Sequence, residues 1–468
     1  MHSSAHGVRY TAANIRTREG PAMSASPMPQ SNDIHAKALA INLEASIYGT
    51  FAEIGAGQEV ARWFLSAGAA SGTVAQAISA YDKTMSDETY GAGTRYVSRE
   101  RLMAMLDHEY EQLVSRLDKE RGAKTRFFVF ADTVATRNYQ GTNQQHGWLG
   151  MRFQAEPGAA PNYISLHINL GDPHADLQQQ AIGILGVNLI YAAYHQRESA
   201  DKFLAGLTAG LSRERIDIDV LELNGPAFRG VDSRLWSLEL LLRGMTGAVA
   251  FDSHAQVVEP ATPLHKRPLL VQRTLHDAPG MFARESFDAA QRQLQAEGKP
   301  LSRDPGVVIE LTTRSFDKDE EAGSGDLLAR AEQLSAHGTV VVTRYLEGYW
   351  IVDYLRRYTA EPIRLVLGIA GLFRLWEGGI YKQSAGALLE DFGRLLYTDV
   401  NVYVAPMKME PFVAALGGLP GGFVMESAES GEMTLEDFVP KPPLDHLVRY
   451  LRGAGRVVPL EVGKERQA

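Results

Sequence analysis

Residues 307–343, VVIELTTRSFDKDEEAGSGDLLARAEQLSAHGTVVVT, decide the fold class of this chain. Two apolar, β-branched runs, Val307–Leu311 and Thr339–Thr343, flank an acidic turn at Asp317–Gly325 and an amphipathic stretch at Asp326–Ala336. Continuous apolar runs of this length are typical of strands that are covered on both faces. A strand, a helix and a second strand in this order indicate a βαβ unit, and therefore a parallel sheet with covering helices.

The same alternation of short apolar runs and helical stretches continues from Ile216 onward, whereas the pattern before residue 122 is mainly helical. We therefore predict an α/β protein in which an N-terminal helical region is followed by mostly parallel sheet units with covering helices. The expected divisions are a disordered tail (1–32), an N-terminal helical region (33–122), a first α/β unit (123–212), a second, doubly wound α/β domain (213–440), and a C-terminal helix, strand and tail (441–468).

The amino-acid composition excludes some classes of function and disfavours others. With 468 residues, 45% hydrophobic and 22% charged, the chain can bury a large core divided over two or three structural units. It contains no cysteine, which excludes disulfides, thiolate catalysis and cysteine-ligated metal centres. A net charge of -9 disfavours binding to nucleic-acid phosphates.

The N-terminal and apolar segments indicate a soluble, cytoplasmic protein. The first thirty residues contain no apolar core of the kind found in secretory signals. The longest apolar run, Ala181–Tyr194, spans 14 residues and includes Asn188. A bilayer requires about 20 apolar residues, so we expect no membrane association.

Polar residues follow the strand predicted at Arg126–Ala131 and form the first candidate site. In parallel α/β sheets, ligands bind beyond the ends of strands, where loop amides and helix N-termini converge. We predict that Asp132 and His146 act as acid or base, and the predicted ligand-binding side chains nearby are Arg137, Asn138 and Asn143. The alternative is a hydrogen-bonded polar loop that joins two strands.

A second candidate loop follows the strand predicted at Ile216–Leu223. Asn224, Arg229 and Arg234 are of the types that bind an anion, and a helix is predicted to begin just beyond them. Asp232 is equally explained as the N-cap of that helix. The two interpretations predict different partners for the arginines.

Two further stretches of the sequence partly match known motifs. The stretch Phe51–Gly57 (FAEIGAG) partly resembles the glycine-rich motif of S-adenosylmethionine-dependent methyltransferases, but Gln58 follows where a further glycine is needed, and a helix-start turn explains the glycines more simply. His167, Asp172, His174 and Asp176 lie close in sequence but do not match the spacing of a zinc site. We therefore predict no metal site from the sequence.

Several segments resemble a widespread, functionally uncharacterised family of bacterial proteins. They include INLEASIYGTFAEIGAGQEVARWF (41–64), ISAYDKTMSDETYG (78–91), RYVSRERLMAMLDHEY (95–110), FFVFADTVATRNY (127–139) and LSRERIDIDVLELNGPAF (211–228). Members of that family carry the automatic labels TonB-dependent receptor and nicotinate-nucleotide adenylyltransferase. The helices predicted throughout this chain do not fit the first label, and the adenylyltransferase motifs His-x-Gly-His and Ile-Ser-x-Thr-x-x-Arg do not occur. The resemblance implies no catalytic residue.

Two functional hypotheses remain open. The first is a protein that binds or transforms a small phosphorylated or nucleotide-like metabolite. The second is a non-catalytic, self-assembling scaffold or regulatory protein whose N-terminal helical region supplies the interface. In both cases we expect a homo-oligomer. The sequence identifies no cofactor, because the phosphate-binding loop, the nucleophile elbow, His-Glu-x-x-His and a complete Gly-x-Gly-x-x-Gly are missing.

Overall fold

A computed structural model describes residues 33–462 apart from 94, 276–283, 314–321, 346, 378–384, 418–430 and 443. The tail predicted over residues 1–32 and part of the acidic turn at Asp317–Gly325 lie outside the described residues. Within the described part, helices and strands alternate and build two large sheets covered by helices. The predicted α/β class is confirmed.

The first half of the chain supplies the first sheet and its helices. Its elements are α1 (Ile34–Asn42), β1 (Ile47–Ile54), α2 (Glu59–Ala67), β2 (Val74–Ile78), α3 (Lys83–Tyr90), α4 (Arg99–Arg121), β3 (Arg126–Ala135), β4 (His146–Phe153), β5 (Asn162–Leu170), α5 (Ala175–His195), α6 (Ala200–Leu207), β6 (Ile216–Asn224) and α7 (Ser233–Leu242). The strand order is β2-β1-β3-β4-β5-β6.

This first sheet changes from parallel to antiparallel along its width. Strand β1 is parallel to β2 and β3, whereas β3, β4, β5 and β6 follow one another as antiparallel neighbours. Apolar residues on one face pack against α1, α2, α5, α6 and α7, and those on the other face pack against α4. Because β4–β6 are antiparallel, the start of β4 and the start of β6 flank the end of β5, and side chains from all three strands meet there.

The second half of the chain supplies the second sheet. Its elements are β7 (Ala248–Phe251), α8 (Ala261–Leu264), β8 (Leu269–Leu275), α9 (Arg284–Ala296), β9 (Gly306–Thr312), α10 (Ser324–Ser335), β10 (Thr339–Thr343), α11 (Gly348–Arg356), β11 (Ile363–Gly368), α12 (Ile369–Glu377), α13 (Ala385–Leu395), β12 (Val400–Ala405), β13 (Met407–Lys408), α14 (Met409–Leu416), β14 (Glu432–Met433), α15 (Leu444–Gly453) and β15 (Val457–Pro459).

The second sheet has the order β15-β12-β11-β8-β9-β10-β7. All its described pairings are parallel except that of β7 with β10. Alternate residues of β10 show how it is covered: Val341 packs with α11–α15 on one face, and Val340 and Val342 pack with α7 and α10 on the other. This double coverage is why its strands are continuous apolar runs.

Three expectations about the elements differ from the structure. The N-terminal region, predicted as helical, also contributes β1 and β2 to the first sheet. Strand β6, expected to open the second domain, hydrogen-bonds to β5 of the first sheet. The prolines Pro260, Pro263 and Pro268 in the preceding segment predict an edge position for strand β8, which instead lies between β11 and β9. Short apolar runs carry no information about their neighbours in a sheet, so the sequence pattern did not distinguish these placements.

No helix in the described part of the chain is both long enough and apolar enough to span a membrane.

Candidate active site

A cavity of about 830 Å³ lies where the ends of β4, β5 and β6 face the segment that follows β10. Most of its lining residues carry polar side chains, and together they present imidazoles, carboxylates, guanidinium groups and aromatic rings. The lining residues are Gln144, Gln145, His146, His167, Asn169, Leu170, Gly171, Arg213, Glu214, Asp217, Gly244, Thr246, Glu259, Ala261, Arg344, Tyr345, Glu347, Trp350, Arg357 and Tyr358. Clefts of this size hold small-molecule ligands in many proteins.

The register of the antiparallel strands places two histidines side by side in the cavity wall. His146 is the first residue of β4 and pairs with Asn169 of β5, while Trp148 pairs with His167. Paired residues in neighbouring strands, and residues two apart in one strand, share a face of the sheet. His146 Nδ1 consequently lies 3.0 Å from His167 Nε2.

A β-bulge brings a carboxylate to the second histidine. His167 pairs with Val220 and Ile168 pairs with Ile218, so Asp219 is the additional residue of β6. Bulges change the direction of a side chain. Here Asp219 Oδ1 lies 2.6 Å from His167 Nδ1, and Asp219 Oδ2 accepts a hydrogen bond of 2.8 Å from Asn169.

The surroundings shift the pKa values of the two histidines in opposite directions. Burial by itself lowers the pKa of His167, but the carboxylates of Asp219 and Glu259 outweigh burial and raise that pKa above its usual value. Burial and the neighbouring His167 lower the pKa of His146 to about 4. At neutral pH, the imidazole of His146 is therefore uncharged.

Glu259 completes the cluster from a different part of the chain. It precedes α8 and is 8% exposed. The indole N–H of Trp148 donates to Glu259 Oε2 at 3.3 Å. The other oxygen, Oε1, lies 3.9 Å from His167 Nε2 and 3.6 Å from an Arg95 nitrogen, and it has no hydrogen-bond partner among the described residues.

Asp217, two residues before Asp219, adds a further buried carboxyl group to the cavity wall. Burial and the charge of Asp219 raise the pKa of Asp217 to about 6. One Arg357 nitrogen lies 4.0 Å from Asp217 Oδ2, and the side chain of Arg357 remains 53% exposed to the cavity mouth. Arg357 is therefore placed to meet a ligand while it partly compensates the carboxylate.

The arrangement supports two kinds of chemistry. Asp219, His167 and His146 form a continuous chain along which a proton can move to and from the cavity. Alternatively, His146, His167 and Glu259 present metal-ligating atoms that all lie within 4.8 Å of one another.

The structure brings one of the predicted catalytic residues, His146, into this cavity. Asn143, three residues before His146, stabilises the loop between β3 and β4. Its Oδ1 accepts from the Asn138 N–H at 2.9 Å, and its Nδ2 donates to the Thr136 carbonyl at 2.7 Å. Asn138 and Arg137 line a different, smaller cavity of about 380 Å³. Their ligand-binding roles stay predictions, and the contacts of Asn143 favour the polar-loop alternative.

Asp132 lies inside a strand, not in the loop predicted after residue 131. Strand β3 continues to Ala135, and Asp132 is fully buried with Oδ1 accepting from the Ile54 N–H at 3.1 Å. Burial and the neighbouring Glu53 raise the pKa of Asp132 well above its usual value. Its catalytic role stays a prediction, and its burial favours a structural role.

The second predicted loop is not part of the cavity lining. Asn224 ends β6, seven residues and about 23 Å from Asp217 at the other end of the strand. Arg229 is exposed. Asp232 caps α7 by accepting from the Arg234 N–H at 3.0 Å, and the Arg234 side chain binds Asp232 and Glu332. The capping interpretation of Asp232 is confirmed.

The sequence did not predict several residues of the site: His167 as part of an active site, Asp219 behind it, Asp217, Glu259 and the arginines of the cavity. A signal was present in the strand sequences. The string IDID (216–219) places two carboxylates in a strand, and HIN (167–169) places a histidine and an asparagine on one face of another. Polar side chains that alternate within otherwise apolar strands indicate a polar site on one face of the sheet.

The first four residues of the FAEIGAG stretch, Phe51–Ile54, end strand β1, and α2 begins at Glu59, shortly after the stretch. However, the first amides of α2 are already occupied. Glu53 accepts from the Val60 and Ala61 N–H groups at 3.0 and 2.9 Å. An internal carboxylate thus fills the position at which a helix N-terminus would bind an anionic ligand.

No protein-family model matches the chain, and no curated protein matches it. Similar solved structures include the competence/damage-inducible protein CihA from Agrobacterium tumefaciens (17% identity, TM-score 0.27, covering 36% of this chain and 98% of that chain). A competence or damage-inducible protein from Enterobacter asburiae (10% identity, TM-score 0.26, 35% and 96%) and a CinA superfamily protein from Escherichia coli (12% identity, TM-score 0.24, 35% and 90%) are also similar. Similarities of this size do not indicate a function.

Proposed function

We propose that the protein is an enzyme that binds a small phosphorylated, nucleotide-like metabolite in the 830 Å³ cavity and transforms it at the cluster of His146, His167 and Glu259. The observation that carries the proposal is the placement of three arginines, Arg213, Arg344 and Arg357, around the same cavity that holds this cluster. Anion-binding groups and groups able to transfer protons or hold a metal thus share one space.

The arginines supply the affinity for an anion. A guanidinium group presents a planar fork of N–H donors that matches two phosphate oxygens. Arg213 and Arg357 are exposed. Both can therefore reach a ligand in the cavity, and Arg357 would do so while it stays beside Asp217.

Aromatic residues supply a surface for the rest of the ligand. The rings of Tyr345 and Trp350 are stacked, with centroids 6.4 Å apart and planes inclined by 22°. Trp350 is 42% exposed although it lines the cavity. A large aromatic surface of this kind stacks on a planar base or on the apolar face of a sugar.

Binding can be tested before any reaction is known. Calorimetric titrations would use inorganic phosphate, pyrophosphate, ribose 5-phosphate and adenosine monophosphate, with adenosine as the uncharged comparison. We expect the nucleotide to bind more tightly than either phosphate or adenosine alone. Arg213→Gln and Arg357→Gln should each weaken nucleotide binding about tenfold, the equivalent of one lost charge-assisted contact.

The matched control is Arg62→Gln, because Arg62 is comparably exposed and pairs with Glu59 on the surface of α2. This variant should bind the nucleotide like the unaltered protein. The proposal fails if none of the phosphorylated probes binds, or if Arg213→Gln and Arg357→Gln bind them as tightly as Arg62→Gln does.

A further inference from the structure

Three side chains of metal-ligating types converge on one point of the cavity wall although they lie far apart in sequence. His146 begins β4, His167 lies in β5, and Glu259 precedes α8. His167 Nε2 lies 3.0 Å from His146 Nδ1 and 3.9 Å from Glu259 Oε1. Two imidazole nitrogens and one carboxylate are the donor set of many zinc enzymes and of non-haem iron enzymes.

The groups behind these side chains orient them as ligands. Asp219 accepts from His167 Nδ1–H, which leaves the lone pair of Nε2 directed at the cluster. Asn169 in turn holds Asp219. A carboxylate behind a histidine is the usual outer partner of a metal-bound imidazole.

Glu259 is likewise oriented by a hydrogen bond from a neighbouring side chain. The Trp148 indole binds one carboxylate oxygen, and the other oxygen is buried without a hydrogen-bond partner among the described residues. A buried carboxylate oxygen that accepts no hydrogen bond is unfavourable in the folded state, and the Arg95 nitrogen 3.6 Å away compensates its charge only in part. A cation between Glu259 Oε1 and His167 Nε2 would remove this cost.

We propose that His146, His167 and Glu259 together bind one divalent transition-metal cation, with a remaining coordination position open to the cavity. The inference deepens the proposed function, because the cation would be in the wall of the same cavity and would polarise a ligand oxygen or a water molecule there. His146 then acts as a ligand instead of the predicted acid or base.

The charges of the cavity are consistent with this proposal. Its lining contains four carboxylates and three arginines, and the carboxylates offset part of the attraction that the arginines exert on an anion. A divalent cation reverses that balance and makes the site attractive to a phosphorylated ligand. Metal and anion should therefore bind cooperatively.

The deciding experiment is a calorimetric titration of the full-length, chelator-treated and untagged protein with zinc chloride, supported by elemental analysis. We expect one zinc ion per chain, with an affinity of about 1 µM or tighter. Cobalt(II) should replace zinc and give the strong visible absorption of a low-coordinate site, a readout that does not depend on activity.

Three variants test the assignment. Glu259→Gln retains the size of the side chain and should abolish zinc binding at micromolar concentration. Asp219→Asn should weaken zinc binding about 10- to 100-fold, as expected for an outer partner. The control is His174→Gln, because His174 is exposed at the start of α5. This variant should bind zinc as tightly as the unaltered protein does. Circular dichroism and thermal unfolding would show that each variant is folded.

The inference is overturned if the unaltered protein does not bind zinc, or if Glu259→Gln binds zinc as tightly as the control. Its failure is separable from that of the proposed function. Nucleotide binding that persists in metal-free protein without any zinc site would support only the proposed function. A zinc site in a protein that binds no phosphorylated probe would support only the metal inference.

Discussion

Glu53 of β1 and Asp132 of β3 lie directly opposite each other in parallel strands, and both carboxyl groups are buried. Burial raises the pKa of Glu53 to about 7, and burial and the charge of Glu53 raise that of Asp132. Since both pKa values are higher in the folded protein, the stability that these groups provide is complete below about pH 4. It is lost as the pH rises through about 7.

Asp132→Asn should therefore stabilise the protein at alkaline pH. We expect the free energy of unfolding to rise at pH 8 by more than the roughly 0.5 kcal/mol of a surface substitution, and the gain to shrink as the pH falls towards 4. Urea unfolding at pH 8 and near pH 4 would measure this gain in the free energy of unfolding. The control is Asp288→Asn, because Asp288 is exposed. A gain of equal size at the two pH values would contradict the assignment.

Gly55 should tolerate alanine much less well than Gly57. Both have a positive φ, of 96° and 75°, which costs a side chain about 1–2 kcal/mol. A Cβ at Gly55 would also lie 1.9 Å from the Val134 carbonyl oxygen, whereas at Gly57 the nearest atom, in Gln179, is 3.8 Å away. Thermal unfolding should show that Gly55→Ala loses at least about 2 kcal/mol more than Gly57→Ala; equal losses would mean that β3 moves to make room.

Arg364 should be essential to the second sheet. This fully buried side chain of β11 binds Glu297 and, at 3.0 Å, Asp399. Arg364→Met removes the buried guanidinium group from both carboxylates, which keep only Tyr403 and Lys299 respectively, and we expect a loss of about 3 kcal/mol. In Arg449→Met, which removes a 75% exposed arginine, the expected loss is within about 0.5 kcal/mol. Similar denaturation midpoints for the two variants would show that Arg364 is dispensable.

Lys37 should make the free energy of unfolding depend on pH in the alkaline range. Its ammonium group is buried and donates to Asn188 and to the Gly206 carbonyl. Burial lowers the pKa of Lys37 to about 8, so the stability associated with its neutral form is lost as the pH falls through about 8. Relative to Lys37→Met, the unaltered protein should gain about 2 kcal/mol between pH 8 and pH 10. The exposed Lys202→Met should show no such difference in urea unfolding.

The sequence predicted best those elements whose environment is uniform along their length. The runs at Val307–Leu311 and Thr339–Thr343 coincide with β9 and β10 because strands covered on both faces are apolar throughout. Strand β1 escaped prediction because Gly49 interrupts its pattern. A Cβ there would lie 2.3 Å from the Phe128 carbonyl oxygen, so close contact with β3 requires the glycine.

The candidate site was predictable only in part, for a physical reason. His146 is found next to a polar loop, which is a local signal. The contact between His167 and Asp219 depends on a bulge in β6, and Glu259 meets both histidines from 92 residues beyond His167. Contacts between segments so distant in sequence leave no periodic pattern in the chain.

The cavity draws its walls from both sheets, which has a consequence for dividing the protein. A fragment that ends at α7 would retain His146, His167 and Asp219 but lose Glu259, Arg344 and Arg357, and the remaining fragment would lack both histidines. Neither piece would hold a complete site. A complete site would form only where two such fragments came together again.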